Sequence, residues 1–349
     1  MNSFGRIFRV NIFGESHGES AGINIDGCPA GLPLAAEDFL EDIERRKGGT
    51  QKGTTPRKED DIPIFKSGVF NGKTTGAPIT ILFENKNTRS GDYEKQRAVP
   101  RPGHADFVAH AKFGGYEDFR GGGHFSGRLT VCLVAAGVIA KKILDLTQTL
   151  SKGEGLGEVE PKHDGIQVAA TILEIGGETD LDKGLQKAID NKDSIGGIVE
   201  CRTNGLPVGL GEPFFDSVES VISHAVFAIP AIRGVEFGTG FAAAKMFGVD
   251  HNDAIEDKTG KTTTNHAGGV VGGITNGNEL VFRIAVKPTS STPKEQQTLN
   301  WETGAIETFS VKGRHDLCIA LRVPVVLEAV TAMVLVDLLM LEHHIKRIL

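Results

Sequence analysis

Two Asn-Gly dipeptides that each fall between strand-like stretches constrain this chain more than any other feature. Asn71-Gly72 lies between the strand-like stretches Ile64 to Phe70 and Ile79 to Phe83, and Asn276-Gly277 between Val270 to Ile274 and Leu280 to Val286. Asn-Gly is the strongest short signal for a tight hairpin, because both turn residues must tolerate a left-handed backbone. Hairpins build antiparallel sheet. For that reason Gly238-Thr239-Gly240-Phe241-Ala242-Ala243, which has GxGxxA spacing, reads as a turn and not as a dinucleotide site.

Further strands are predicted over Ile7 to Phe13, Ile23 to Ile25, Ile166 to Ile175 and Ile198 to Arg202. Helical periodicity covers Leu34 to Lys47, Leu129 to about Leu146, Leu181 to Asn191, Phe214 to Ala228 and Val325 to about Leu349, and a helix starts near Asp106. The last helix carries Glu328 and Asp337 among apolar residues, which marks it as a packing helix; His343-His344 near its end read as surface.

At 349 residues the chain can bury a large core, as one domain or two. A net charge of -7 argues against a nucleic-acid surface. Cys28, Cys132, Cys201 and Cys318 are scattered without a CxxC pair, so neither a zinc ribbon nor a disulfide framework is suggested, and a reducing cytoplasm fits. There is no basic-then-apolar leader, and the apolar run Val131 to Ala140 is too short to span a bilayer, so no membrane role is expected. The 45 glycines imply many tight turns and close backbone approaches to a ligand.

The chemistry concentrates in glycine-rich breaks. Gly14-Glu15-Ser16-His17-Gly18 sets an imidazole where a strand ends, and Arg101-Pro102-Gly103-His104-Ala105-Asp106 sets another where a helix begins. Arg120-Gly121-Gly122-Gly123-His124-Phe125-Ser126-Gly127-Arg128 feeds an apolar helix, a ready anion site but not a Walker loop. Arg45-Arg46-Lys47 either caps a helix C-terminus or, with Lys52, Arg57 and Lys58, clamps an anion. Lys287-Pro288-Thr289-Ser290-Ser291 could grip a phosphate or end a strand, and Gly313-Arg314-His315-Asp316 precedes the last helix. No set has metal-ligand spacing. Imidazoles among arginines favour acid-base work on an anionic small molecule; Ser16 and His17 as nucleophile and base is weaker, because such pairs come from separated segments.

These residues resemble the chorismate synthase family nearly end to end. GESHG at 14 to 18, SGVFNGKTTGAPI at 67 to 79, RPGHAD at 101 to 106, GLGEP at 209 to 213, NHAGG at 265 to 269, KPTSS at 287 to 291 and GRHD at 313 to 316 occur in family order. The resemblance implies a single α+β domain over 1 to 349, with helices layered between antiparallel sheets, assembled as a homotetramer. It implies a lyase of the shikimate pathway: 1,4-anti elimination of phosphate from 5-enolpyruvylshikimate-3-phosphate to give chorismate, with reduced FMN (FMNH2) and no net redox change. The alternative class is a flavin- or nucleotide-dependent oxidoreductase acting on an anionic small molecule.

By position, His17 resembles the histidine that protonates the departing phosphate, His104 the one that keeps reduced flavin in its protonation state, and Asp316 the acid that helps the flavin act as base. Ser16 and Ser126 match serines near substrate and flavin. Flavin contacts map to His124, Phe125, Ser126, Pro230, Ala231, Gly272, Lys287, Pro288, Thr289, Ser290, Ser291 and Arg314. The anionic substrate calls for Arg45, Arg46, Arg57 and Arg128, and Arg46 also matches a pyridine-nucleotide position, although Lys52 stands where an arginine is frequent. NADPH would enter only if the enzyme were bifunctional or as an indirect reductant through a separate flavin reductase. The family commonly has Arg-Ser where this chain has His124-Phe125. A permanent cation has become titratable, so ligand affinity is expected to fall as pH rises through the imidazole range.

Overall fold

Alternating apolar residues open the chain as an antiparallel meander of β1 (Ser3–Phe4), β2 (Arg9–Gly14) and β3 (Ser20–Asp26), with Val10 opposite Ile25 and Ile12 opposite Ile23. The computed structural model describes residues 2–49, 52–55, 59–87, 97–150, 165–311 and 315–345, with side chains to Leu146 in the fourth span. Arg57, Lys58, Gly313 and Arg314 lie outside the described residues.

After a 3-10 turn at Ala36–Phe39 come α1 (Leu40–Arg46), β4 (Ile64–Ser67), the short pair β5 (Val69–Phe70) and β6 (Lys73–Thr74), and β7 (Ile79–Glu84). Asn71 (φ 49°) and Gly72 (φ 70°) turn the β5–β6 hairpin as expected. The first sheet runs β1-β2-β3-β7-β4. Next come α2 (Asp106–Phe113), α3 (Thr130–Leu150), β8 (Gln167–Ile175), α4 (Leu181–Asn191), β9 (Gly197–Asn204), α5 (Val218–Val226) and β10 (Ile232–Phe237). The chain closes with the one-turn α6 (Gly248–His251), β11 (Val270–Val271), β12 (Ile274–Thr275), β13 (Leu280–Val286), β14 (Gln296–Leu299), β15 (Ile306–Phe309) and α7 (Val323–Leu341). The second sheet runs β10-β13-β9-β8, antiparallel throughout.

The second hairpin falls elsewhere than expected. β11 and β12 turn at Gly272-Gly273, both at positive φ, and Asn276-Gly277 only leads into β13, which pairs with β9 and β10. Two consecutive glycines outcompete Asn-Gly for a left-handed pair. The helix expected over Phe214 to Ala228 is a 3-10 turn at Phe214–Asp216 followed by α5, because Ser217 caps the helix by accepting from Ser220 N. The last helix ends at Leu341, and His343 and His344 are exposed beyond it. The GxGxxA stretch forms a 3-10 turn after β10 in antiparallel surroundings.

Helix α3 packs on β2 and β3, α7 packs on β8 and β9, and the two helices pack on each other, so a helical layer lies between the sheets. One hydrophobic cluster runs through all three layers. Helix α7 is buried on every side, which is why its sequence lacks an amphipathic stripe. The segment Ile319–Leu341 is long and apolar enough to cross a membrane, with mean hydropathy 2.1, but is 94% buried within the protein.

Its buried acids have partners. The Asp337 carboxylate accepts the backbone N–H groups of Arg6, Ile7 and Phe8 at 2.7–3.1 Å, tying the N-terminal segment to the core. Glu328 accepts both ends of the Arg45 guanidinium (2.7 and 2.8 Å), Lys141 Nζ (2.8 Å) and the Ala170 amide (3.1 Å). Burial alone would raise Glu328, but the Arg45 and Lys141 cations outweigh it and hold the carboxylate below its ordinary range.

The helices cross at Gly137. A Cβ added there would stand 2.2 Å from the Ala329 Cβ and 2.4 Å from its Cα. Two effects oppose one another in Gly137→Ala: helix propensity would gain about 1 kcal/mol, while overpacking costs roughly 1–3 kcal/mol. Because the clash is with backbone, overpacking should win. The melting temperature of Gly137→Ala is expected to fall, and a rise would contradict this crossing.

Candidate active site

Both long helices begin at one cavity of about 570 Å³, whose wall includes Thr130 of α3 and Val323 and Val326 of α7. The positive ends of both helix dipoles therefore face it. Seven fixed cations line the cavity among the described residues (Arg46, Lys47, Arg101, Arg128, Arg233, Lys287, Arg322) against three carboxylates (Glu59, Asp61, Asp316).

The triple glycine is explained by what leans on it. Gly121, Gly122 and Gly123 all have positive φ. A Cβ at Gly121 would stand 2.1 Å from His17 Nδ1, and one at Gly122 would stand 3.1 Å from His104 Nε2. A Cβ at Gly123 would meet the Asp118 carbonyl at 1.9 Å. The loop is therefore a flat wall on which two imidazoles converge from different segments. His17 arrives on the turn after β2, where Ser16 N donates to the Gly123 carbonyl at 3.1 Å. Ser16 itself is buried behind the ring, its Oγ unbonded among the described residues.

His104 is oriented by Asp106. Its Nδ1 lies 2.6 Å from Asp106 Oδ1, and Arg101 grips the same carboxylate through Nε and Nη2 at 2.8 Å each. Burial would raise Asp106, but the Arg101 and His104 hydrogen bonds prevail and hold it well below the usual carboxylate range. An ionised Asp106 can only accept, so His104 carries a hydrogen on Nδ1 and points Nε2 at Gly122, where the neutral ring would offer an acceptor.

A second network holds the cations. Asp61, fully buried, bridges Arg46 Nη2 (2.6 Å) and Arg128 Nη1. Burial pushes the Arg46 guanidinium down, to about 10, against Asp61 and with Arg322 and Arg128, which still leaves it charged near neutral pH. Asp316 accepts from the Thr55 amide at 2.8 Å and Arg322 Nη1 at 3.0 Å, and Arg322 Nε donates to the Arg46 carbonyl at 2.8 Å. His315 beside it is pushed down by burial and then by Arg101.

The remaining expected residues divide clearly. His124 lines the cavity and donates from Nδ1 to the Gly14 carbonyl (2.8 Å), so its neutral ring can offer only an acceptor at Nε2. Phe125, Ser126, Pro230, Ala231 and the 287–291 stretch line the same cavity. Lys287 Nζ bonds the Gly103 carbonyl and Ser290 Oγ at 2.7 Å, and burial, then Arg233, pulls it down. The buried Thr289 Oγ1 has no protein partner among the described residues. Of the expected arginines within the described residues, Arg46 and Arg128 line the cavity and Arg45 does not, being spent on Glu328 and Asp42. Gly272 sits at the β11–β12 turn and is not among the lining residues.

Sequence reasoning missed Asp61, hidden in the acidic run Glu59-Asp60-Asp61, and Arg322, which precedes an apolar helix. It also gave no role to Arg101 and Asp106, although both flank His104 in a motif it singled out. Among the described residues no cluster of three or more His, Cys, Asp or Glu could hold a metal ion.

Comparison with known proteins gives one answer. Residues 8–340 match the family model described as chorismate synthase. A chorismate synthase from Chitinophaga pinensis is 70% identical, covering 100% of this chain and 99% of its own length. One from Methanocaldococcus jannaschii is 42% identical over 97% of this chain and 96% of its own. A solved structure titled "Crystal Structure of Chorismate Synthase" superposes with TM-score 0.70 at 25% identity, over 97% of this chain and 93% of that one.

Asp106→Asn tests the orienting carboxylate. Its loss should lower kcat roughly 10- to 100-fold, the usual cost of an orienting partner. The sign for stability follows from the depressed value: the ionised carboxylate stabilises the fold above its ordinary 3.8, and that contribution is lost as pH falls through the lowered folded value. Urea midpoints between pH 5 and pH 3 should therefore fall less steeply in Asp106→Asn than in the parent. Equal slopes would contradict the pairing.

Proposed function

The chain belongs to the chorismate synthase family, a carbon-oxygen lyase that eliminates phosphate from 5-enolpyruvylshikimate-3-phosphate to give chorismate in aromatic amino acid biosynthesis, and from that premise we propose how its residues run the elimination. The observation that carries this reading is the convergence of His17 and His104 on the Gly121-Gly122 wall of a cation-rich cavity.

The substrate has two carboxylates and a phosphate. Arg46 and Arg128 hold part of that charge, pre-organised by Asp61, and the N-termini of α3 and α7 add their dipoles. His17 donates a proton to the departing phosphate, while the cations lower the cost of the charge left on it. Arg57 and Arg314 are kept as further candidates by position in the sequence alone.

The cofactor we propose is reduced FMN, which when bound supplies transient electron donation with no net oxidation. The cavity fits it: its volume is in the range of cofactor sites, and the buried Thr289 Oγ1 lacks a protein partner among the described residues. His124 to Ser126, Pro230-Ala231 and 287–291 would hold it. His104, fixed by Asp106, holds a proton acceptor at Nε2 beside that site. Asp316, anchored by Thr55 and Arg322, lines the same cavity and would help the flavin act as base. Arg46 is given to the substrate's anionic groups in this reading, so we give NADPH only an indirect role, through a separate reductase.

We read residues 1–349 as one domain, supported by the continuous core. Self-association, which the family resemblance makes a homotetramer, is supported by exposed Phe214, Phe215, Phe241, Phe247, Val249 and Ile255, which would otherwise leave apolar surface in water. A cytoplasmic setting agrees with four free, buried cysteines.

His17→Ala and His104→Ala should each lower kcat roughly 10²- to 10⁴-fold with little change in substrate binding. Wild-type turnover in either would reject its role. His124→Arg should flatten the pH dependence of substrate and flavin affinity, which in the parent is expected to weaken as pH rises and the ring loses its second donor. An unchanged pH profile would show that His124 contributes no titratable contact.

A further inference from the structure

We propose that Asn85 is a positioning residue that couples the turn carrying His17 to the guanidinium of Arg128. This rests on the reading of His17 as proton donor.

Asn85 directly follows β7, at the start of a polar stretch of the chain. Its side chain instead fulfils three hydrogen-bond demands at once. Nδ2 spends one hydrogen on the Glu15 carbonyl and the other on the Gly18 carbonyl, each at 2.9 Å. Oδ1 accepts from Arg128 Nε at 2.9 Å. The backbone N–H of Asn85 adds a bond to the Glu19 carbonyl at 3.0 Å. Glu15 and Gly18 bracket Ser16 and His17, so the amide spans the turn on which the imidazole sits.

The far side of the link is rigid. Arg128 is held through Nη1 by Asp61 and through Nη2 by the Glu84 carbonyl at 3.3 Å, and Asp61 also holds Arg46. One planar amide therefore sets the distance between the proposed acid and the proposed anion-binding pair. The residue type follows from the partners. Two carbonyl oxygens require two donors, and a guanidinium requires an acceptor, which among short side chains only Asn supplies together. Asp would keep Arg128 but turn a carboxylate oxygen against both carbonyls, and Gln would overreach by a methylene.

The test is a double-mutant cycle between Asn85→Ala and His17→Ala, read as anaerobic turnover with chemically reduced FMN. Asn85→Ala should lower kcat roughly 10- to 100-fold, as loss of an orienting partner does. In the His17→Ala background it should change the residual rate by no more than about twofold, because no ring remains to be misplaced. Equal rate losses in both backgrounds, or wild-type kcat in Asn85→Ala, would overturn the proposal. If Asn85→Ala does not fold, Asn85→Asp, nearly identical in shape, takes its place in the cycle with the same expectations. Wild-type turnover in His17→Ala alone would instead reject the role of His17, and the positioning role would fall with it.

Discussion

The close crossing of α3 and α7 at Gly137 and Ala329 is the constraint on which the rest of the structure depends. With no Cβ at 137 the helices meet at backbone distance, and each sheet then has a continuous apolar surface to cover. Thr130 and Val323 lie about two turns before that contact in their respective helices. The crossing therefore brings both N-termini to one end of the helical layer. That shared end is the cavity, so the helix dipoles add to the positive charge of its lining side chains.

Electrostatics then divides the arginines by role. Arg45 satisfies Glu328 in the core, where an unpaired carboxylate would be costly. Arg46 and Arg128 share one acid, Asp61, so together they keep a net positive charge and a fixed geometry. A buried pair of this kind is weak evidence for stability, since desolvation offsets most of the attraction. In the proposed function its value is pre-organisation: cations already held in place would not have to be ordered when the substrate arrives. His104 is treated in the same way, with Arg101 and Asp106 fixing its tautomer.

Much of this was legible in the sequence because turns and helix periodicity are local. The hairpin at Asn71-Gly72, α4 over Leu181–Asn191 and the long final helix followed from short windows, and the α+β layering followed from the family resemblance. The hairpin at Gly272-Gly273 was misassigned because two adjacent turn signals competed. The partners of the charged residues were not legible. Arg45 and Arg46 are neighbours in an identical local context, yet one faces Glu328, 283 residues away, and the other faces Asp61. Nothing in the local sequence marks Asn85, because its partners, Glu15, Gly18 and Arg128, come from two other segments.

The central claim is that this cavity eliminates phosphate from a highly anionic substrate by acid-base chemistry, with reduced flavin unconsumed. Its most direct test is anaerobic turnover of 5-enolpyruvylshikimate-3-phosphate with chemically reduced FMN, following chorismate, phosphate and flavin absorbance together. The account predicts chorismate and phosphate in equal amounts over many turnovers, with the flavin still reduced at the end. Flavin oxidation in step with product, or flavin binding without product, would contradict it.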